Sequence, residues 1–131
     1  MSFIRFYYDS KVGDRLEFPV VLDMKPYTRA QERDGNANSS SNSDSTVYEL
    51  NSVVIHEGTA DFGHYFCFAR PDLKKQPNEW VKLNDNLVST VSLGEVCEAS
   101  FGGKYFRLLG RGAAGDASSN AYLLFYSQKE R

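Results

Sequence analysis

The chain has 131 residues, with Lys+Arg 15 against Asp+Glu 17 and a formal net charge of −2. It is 41% hydrophobic, with eight Tyr, nine Phe and one Trp, so it can build the core of one domain or of a large piece of one. The balanced charge leaves no basic stripe for nucleic acid, no apolar run approaches membrane-spanning length, and no charged-then-apolar leader opens the sequence, so neither nucleic acid nor membrane is an expected partner.

Phe3 to Tyr8 is an apolar-aromatic run that predicts a short strand, followed by a turn from Asp9 to Asp14. Arg15 to Val21 alternates weakly, and Pro19 marks it as an edge strand or a strand end. Leu22 to Thr28 leaves that strand, with Pro26 opposing a helix. Residues 31–46 are a Ser/Asn/Asp/Gly tract that cannot bury enough apolar surface to offset its ordering entropy; it reads as a flexible insertion within one domain spanning residues 1–131.

Val47 to His56 predicts a long strand, broken or bulged near Asn51 and Ser52. Glu57 to Gly63 reads as a long shaped loop with Gly58 and Gly63 near its ends, and His64 to Arg70 as the antiparallel partner strand. After a polar turn from Pro71 to Asn78, Trp80 to Leu83 and Leu87 to Val91 predict two short strands around Asn84, Asp85 and Asn86. Ser92, with Glu95 at the capping-box position, starts a short helix that ends near Ala99 before Phe101-Gly102-Gly103. Gly110 to Asn120 reads as a second flexible loop, and Ala121 to Ser127 as a buried closing strand. The sum is α+β, mainly antiparallel sheet with one short helix.

Cys67 and Cys97 are the only cysteines. They form neither a disulfide framework nor a CxxC pair, which points to a reducing intracellular compartment, cytoplasmic or nuclear, with no structural zinc, metal or other cofactor expected. A histidine where a glycine-flanked loop rejoins a strand is well placed for proton transfer, which singles out His64. His56, at the end of the preceding strand, reads as structural.

The segment Gly58-Thr59-Ala60-Asp61-Phe62-Gly63-His64-Tyr65-Phe66-Cys67-Phe68 resembles the histidine box of the ubiquitin-specific proteases. Further landmarks lie in the family's order: Ile4-Arg5-Phe6, Phe18-Pro19, Leu22-Asp23-Met24, Pro26-Tyr27, Trp80-Val81-Lys82-Leu83-Asn84-Asp85, Phe101-Gly102-Gly103 and Ala121 to Tyr126. The Gly-Thr-Ala-Asp loop and the Phe-Gly-Gly are most similar to the very large members. The resemblance implies the C-terminal half of a catalytic domain, the palm-like part of a papain-like cysteine protease fold. It implies His64 as general base, with Asn84 in the third position of the site and Asp85 sharing or replacing it. It also implies Phe6, Asp61, Phe62, Gly63 and Tyr65 around the C-terminal tail of ubiquitin, with ubiquitin and ubiquitinated proteins as partners.

The family's nucleophile belongs to a Gly-Asn-Thr-Cys-type segment, which this sequence does not contain. Strand alternation puts His64, Phe66 and Phe68 on one face and Tyr65 with Cys67 on the other, so Cys67 points away from His64. Cys97 falls late in its helix, not at the amino end where a thiolate is favoured. The chain therefore reads as the base-bearing part of a deubiquitinase, inactive until joined to its nucleophile-bearing half; the alternative is a non-catalytic ubiquitin-binding or scaffold module. A half-domain should leave apolar surface open, expected here around Phe6, Phe66 and Phe68.

Overall fold

The β-branched run from Val47 sets the architecture. In the computed structural model, which describes residues 1–2, 6–7, 10–27, 46–103, 105–107 and 116–129, it becomes strand β4, Val47–Gly58. β4 has β9 (Asp116–Gln128) along one edge. Its other edge is shared, first by β3 (Val21–Asp23) against Val47 to Glu49, then by β5 (Gly63–Ala69) from Ser52 onward. The seven-stranded sheet runs β7-β6-β5-β4-β9-β8 with β3 paired to β4, and every pairing is antiparallel. Here β6 is Trp80–Asn84, β7 is Leu87–Val91 and β8 is Tyr105–Arg107. A separate ribbon pairs β1 (Phe6–Tyr7) with β2 (Ser10–Lys11). With one α-helix among the described residues, α1 (Leu93–Ser100), the fold is α+β of the papain-like kind.

Two register shifts decide which side chains reach the core. One falls between Leu50 and Ser52, the other between the Val54–Leu123 and Ile55–Ala121 pairs. Each inserts one residue, Asn51 on β4 and Tyr122 on β9, and so reverses the alternation of faces beyond it. Leu50 thereby joins Val53 and Ile55, and Ala121 joins Leu124, on the face that also buries Phe66, Phe68 and Trp80. Val96 of α1 completes that core, with Phe18, Val20, Val91, Ala99 and Tyr126 packed against it. The helix starts where the sequence indicates: Ser92 accepts from the Glu95 N–H, and the Glu95 carboxylate accepts from the Ser92 N–H at 2.8 Å.

Several boundaries differ from the sequence reading. Ser10 and Lys11 are strand, not turn, because they pair with Phe6 and Tyr7. The edge strand near Pro19 falls at Val21 to Asp23, where paired amides are available, and Lys25–Tyr27 forms one 3₁₀ turn. Glu57, Gly58 and Gly63 belong to β4 and β5, so the expected long loop is only residues 59–62. β9 begins at Asp116, so 116–120 are strand. The rest of that expected loop, the insertion at 31–45, and Ile4 and Arg5 lie outside the described residues. The expected open patch is not where it was placed: Phe66 and Phe68 are 7% and 3% exposed, because their face is the one α1 covers. Apolar surface remains on the opposite face instead, in the cross-strand row Leu123, Val54, Cys67, Leu83 and Val88, which is half-buried at its centre and 68% exposed at Val88.

Ile55→Ala should destabilise the chain by about 2–5 kcal/mol, and Val88→Ala by less than about 0.5 kcal/mol. Urea unfolding followed by tryptophan fluorescence at the single, buried Trp80 measures both.

Candidate active site

The β4–β5 turn is closed by its own polar groups. The Thr59 N–H donates to the Phe62 carbonyl at 2.7 Å, and the Phe62 N–H donates to the Thr59 hydroxyl at 3.2 Å. Gly58 has φ +133, and a Cβ there would lie 2.3 Å from the Phe62 carbonyl oxygen, so only glycine allows this return. The turn leaves Asp61 exposed and Phe62 65% exposed at its tip.

His64 follows directly. Its Nε2 lies 2.5 Å from Asn84 Oδ1 on β6. The pairing of Cys67 with Leu83 puts Asn84 one step further along β6, on the face that carries His64 and Phe66. An amide oxygen only accepts, so Nε2 is the donor, and in the neutral ring Nδ1 keeps its lone pair. The Phe66 ring stacks beside the imidazole at 6.4 Å, and the Lys82 ammonium lies 4.2 Å from the Phe66 centroid. Asp85 Oδ2 is 3.7 Å from Nε2, beyond hydrogen-bond length, and its side chain is 76% exposed. Asp85 takes φ 52 in the two-residue turn to β7, a left-handed conformation that aspartate tolerates. An imidazole tied at Nε2 with an open Nδ1 can accept a proton from a group approaching that side.

Cys67 pairs with Val54 and Leu83 on the opposite face from His64, and burial raises its thiol pKa. Burial, then Glu17, raises that of Cys97. Neither thiol is held as thiolate, and Cys67 is turned away from the imidazole. Tyr65, 49% exposed, lies against Tyr122 at 5.8 Å and His56 at 4.7 Å. Phe6 meets His56 edge-on at 5.1 Å and Tyr122 at 6.1 Å. Phe6 and Tyr65 thus share one aromatic cluster built on His56, whereas Asp61 and Phe62 stand apart at the turn tip. Sequence reasoning passed over Lys11. Its ammonium donates to the carbonyls of His56 (2.9 Å), Gly58 (3.2 Å) and Ser118 (2.5 Å), lashing β2 to the ends of β4 and β9. A lone lysine in an apparent turn carries no signal for that. Among the described residues, no group of three or more His, Cys, Asp or Glu is placed to hold a metal ion. No described helix is long and apolar enough to cross a membrane.

A papain-like sheet that presents a histidine bonded to an asparagine defines a class, and comparison with known proteins narrows it. The family model for ubiquitin carboxyl-terminal hydrolase matches residues 1–126, and the chain belongs to that family, among its ubiquitin-specific proteases. It is 31% identical over 138 residues to ubiquitin carboxyl-terminal hydrolase 15 of Schizosaccharomyces pombe, covering 97% of this chain and 11% of that protein. It is 32% identical over 120 residues to ubiquitin carboxyl-terminal hydrolase 8 of Saccharomyces cerevisiae, covering 92% and 20%. It is 31% identical over 140 residues to ubiquitin carboxyl-terminal hydrolase 34 of Homo sapiens, covering 92% and 4%. The chain therefore spans at most a fifth of the length of these relatives.

The second histidine makes a pH prediction. Burial, and then the Lys11 ammonium, push His56 down to about 4 from 6.5. The unfolded chain then binds the extra proton between these values and the folded chain does not. Stability should be full above about pH 6.5 and fall by about 3 kcal/mol as the pH drops towards 4. His56→Leu should remove that part of the pH dependence, as measured by urea midpoints from pH 7 to 4.

Proposed function

We propose that this chain is the base-bearing part of a thiol-dependent deubiquitinase that hydrolyses the isopeptide bond after ubiquitin's C-terminal glycine. The observation that carries the reading is the 2.5 Å contact between His64 Nε2 and Asn84 Oδ1, in a chain that belongs to the ubiquitin carboxyl-terminal hydrolases. Nδ1 of His64 takes the proton of a cysteine thiol supplied by the nucleophile-bearing half. The thiolate adds to the glycine carbonyl, and the imidazolium then returns its proton to the departing lysine amine. Water repeats the sequence on the thioester. Asn84 holds the tautomer without adding charge, and Asp85 stabilises the imidazolium from 3.7 Å through solvent.

Phe6, Asp61, Phe62, Gly63 and Tyr65 border the ubiquitin tail in this reading. Asp61 and Phe62 reach out from the turn tip, and Tyr65 offers an exposed ring backed by Phe6 and His56. The partners are ubiquitin, ubiquitinated proteins and the nucleophile-bearing half, met inside the cell. The apolar row ending at Val88 supplies surface for that half to cover. A module selected for binding alone would have no use for a histidine paired with an asparagine.

The chain by itself should give no turnover of a ubiquitin–fluorophore conjugate. Joined to a nucleophile-bearing segment, it should turn the conjugate over, with His64→Ala lowering kcat about 10²–10⁴-fold. Asn84→Ala should cost less than that, and Asp85→Asn least. Turnover by the isolated chain that disappears with His64→Ala would sink the proposal.

A further inference from the structure

His56 is 3% exposed and makes no proton transfer in the mechanism above. Its Nδ1 is buried without a hydrogen-bond partner, so the ring is not held through that nitrogen. A Cβ built on Gly63 would lie 2.1 Å from His56 Nε2 and 2.6 Å from Cε1, so the ring lies directly on the Gly63 backbone. The Tyr65 ring packs on the same imidazole at 4.7 Å. Gly63 and Tyr65 are the two chain neighbours of His64. One buried ring therefore touches both residues that flank the candidate base.

The ring itself is held from behind. Phe6 abuts it edge-on at 5.1 Å, and Lys11 ties the His56 carbonyl to those of Gly58 and Ser118. A planar five-membered ring fills the gap above a glycine Cα where a tetrahedral or six-membered group meets the backbone differently.

We propose that His56 is a positioning residue for His64: its ring fixes the backbone from Gly63 to Tyr65, so that the His64 imidazole reaches Asn84. The functional meaning of this rests on the base role proposed for His64. The geometry can be tested without it.

The chain has two histidines, so the long-range ¹H–¹⁵N spectrum of imidazoles holds two ring systems, and His56→Leu leaves one. In the unaltered chain at pH 7.5, His64 should appear as the Nε2–H tautomer, with the shift of a hydrogen-bonded proton. If it does not, the Asn84 contact and the function proposed from it fail, whatever His56 does. His56→Leu removes an unpartnered buried nitrogen and should leave the urea midpoint at this pH unchanged or raised. It should nevertheless convert the His64 signals to a mixture of tautomers. Gly63→Ala, which drives a methyl into the ring from the other side, should do the same.

In the chain joined to its nucleophile-bearing half, His56→Leu should lower kcat about 10- to 100-fold with KM nearly unchanged. Folded His56→Leu and Gly63→Ala chains that both keep the His64 tautomer and shift would overturn the proposal. So would the failure of both variants to fold, because the ring would then be a folding element. If only one variant folds, its His64 spectrum decides.

Discussion

Everything proposed for this chain depends on the antiparallel register of three strands. Pairing Ile55 with Phe66, and Cys67 with Leu83, leaves His64 and Asn84 as diagonal neighbours on one face, near enough for an imidazole nitrogen to reach an amide oxygen at 2.5 Å. A slip of one residue between β5 and β6 would turn Asn84 to the face opposite His64, and one between β4 and β5 would turn both away from the core face. The register is pinned by burial: the face that carries His64 continues through Phe66 and Phe68 into the core, and Trp80 anchors β6 beside them. Hydrophobic burial thus selects the alignment, and the polar contact is formed at the end of strands that apolar side chains already hold.

The two inserted residues extend that logic across the sheet. The insertions at Asn51 and Tyr122 keep Leu50, Val53 and Ile55 of β4 and Ala121 and Leu124 of β9 on the buried face. The first insertion keeps Leu50 inside. The second sends Tyr122 out to join Phe6, Tyr65 and His56 on the opposite face. Core and aromatic cluster therefore both draw on β4 and β9, from opposite faces. The cluster lies behind the histidine turn, and Lys11 ties β2 to the strand ends through the backbone carbonyls of His56, Gly58 and Ser118.

The two histidines lie in contrasting environments. His64 sits at a strand start, partly exposed and bonded to an amide. His56 is eight residues earlier, buried, beside an ammonium group, and held neutral well into the acid range. A charge on His56 would face both desolvation and Lys11, so protons there cost stability. The His64 ring faces solvent, with the Asp85 carboxylate 3.7 Å from Nε2.

Much of this was legible in the sequence because it is local or repetitive. The β-branched run of β4, the Ser92–Glu95 box, the irregularity near Asn51 and the separation of Cys67 from His64 all follow from short-range patterns. The ordered landmarks from Phe18-Pro19 to Tyr126 indicated the family that residues 1–126 match. Short-range patterns do not carry long-range pairing. Ser10 and Lys11 looked like turn, and 116–120 like loop, because polar residues become strand only when a neighbouring edge supplies their hydrogen bonds. The open patch was misplaced because alternation tells which side chains share a face but not which face the helix covers. Asn84 was expected beside His64 with Asp85 able to share or replace it, but the sequence carries no distances, which are 2.5 Å from His64 Nε2 for Asn84 Oδ1 and 3.7 Å for Asp85 Oδ2. Local patterns determined most of the elements, and the ordered motifs carried the family resemblance and, through it, the residues of the candidate site. Only the tertiary structure decided their distances, because a distance between residues twenty positions apart depends on strand register, and register is settled by what the whole sheet can bury.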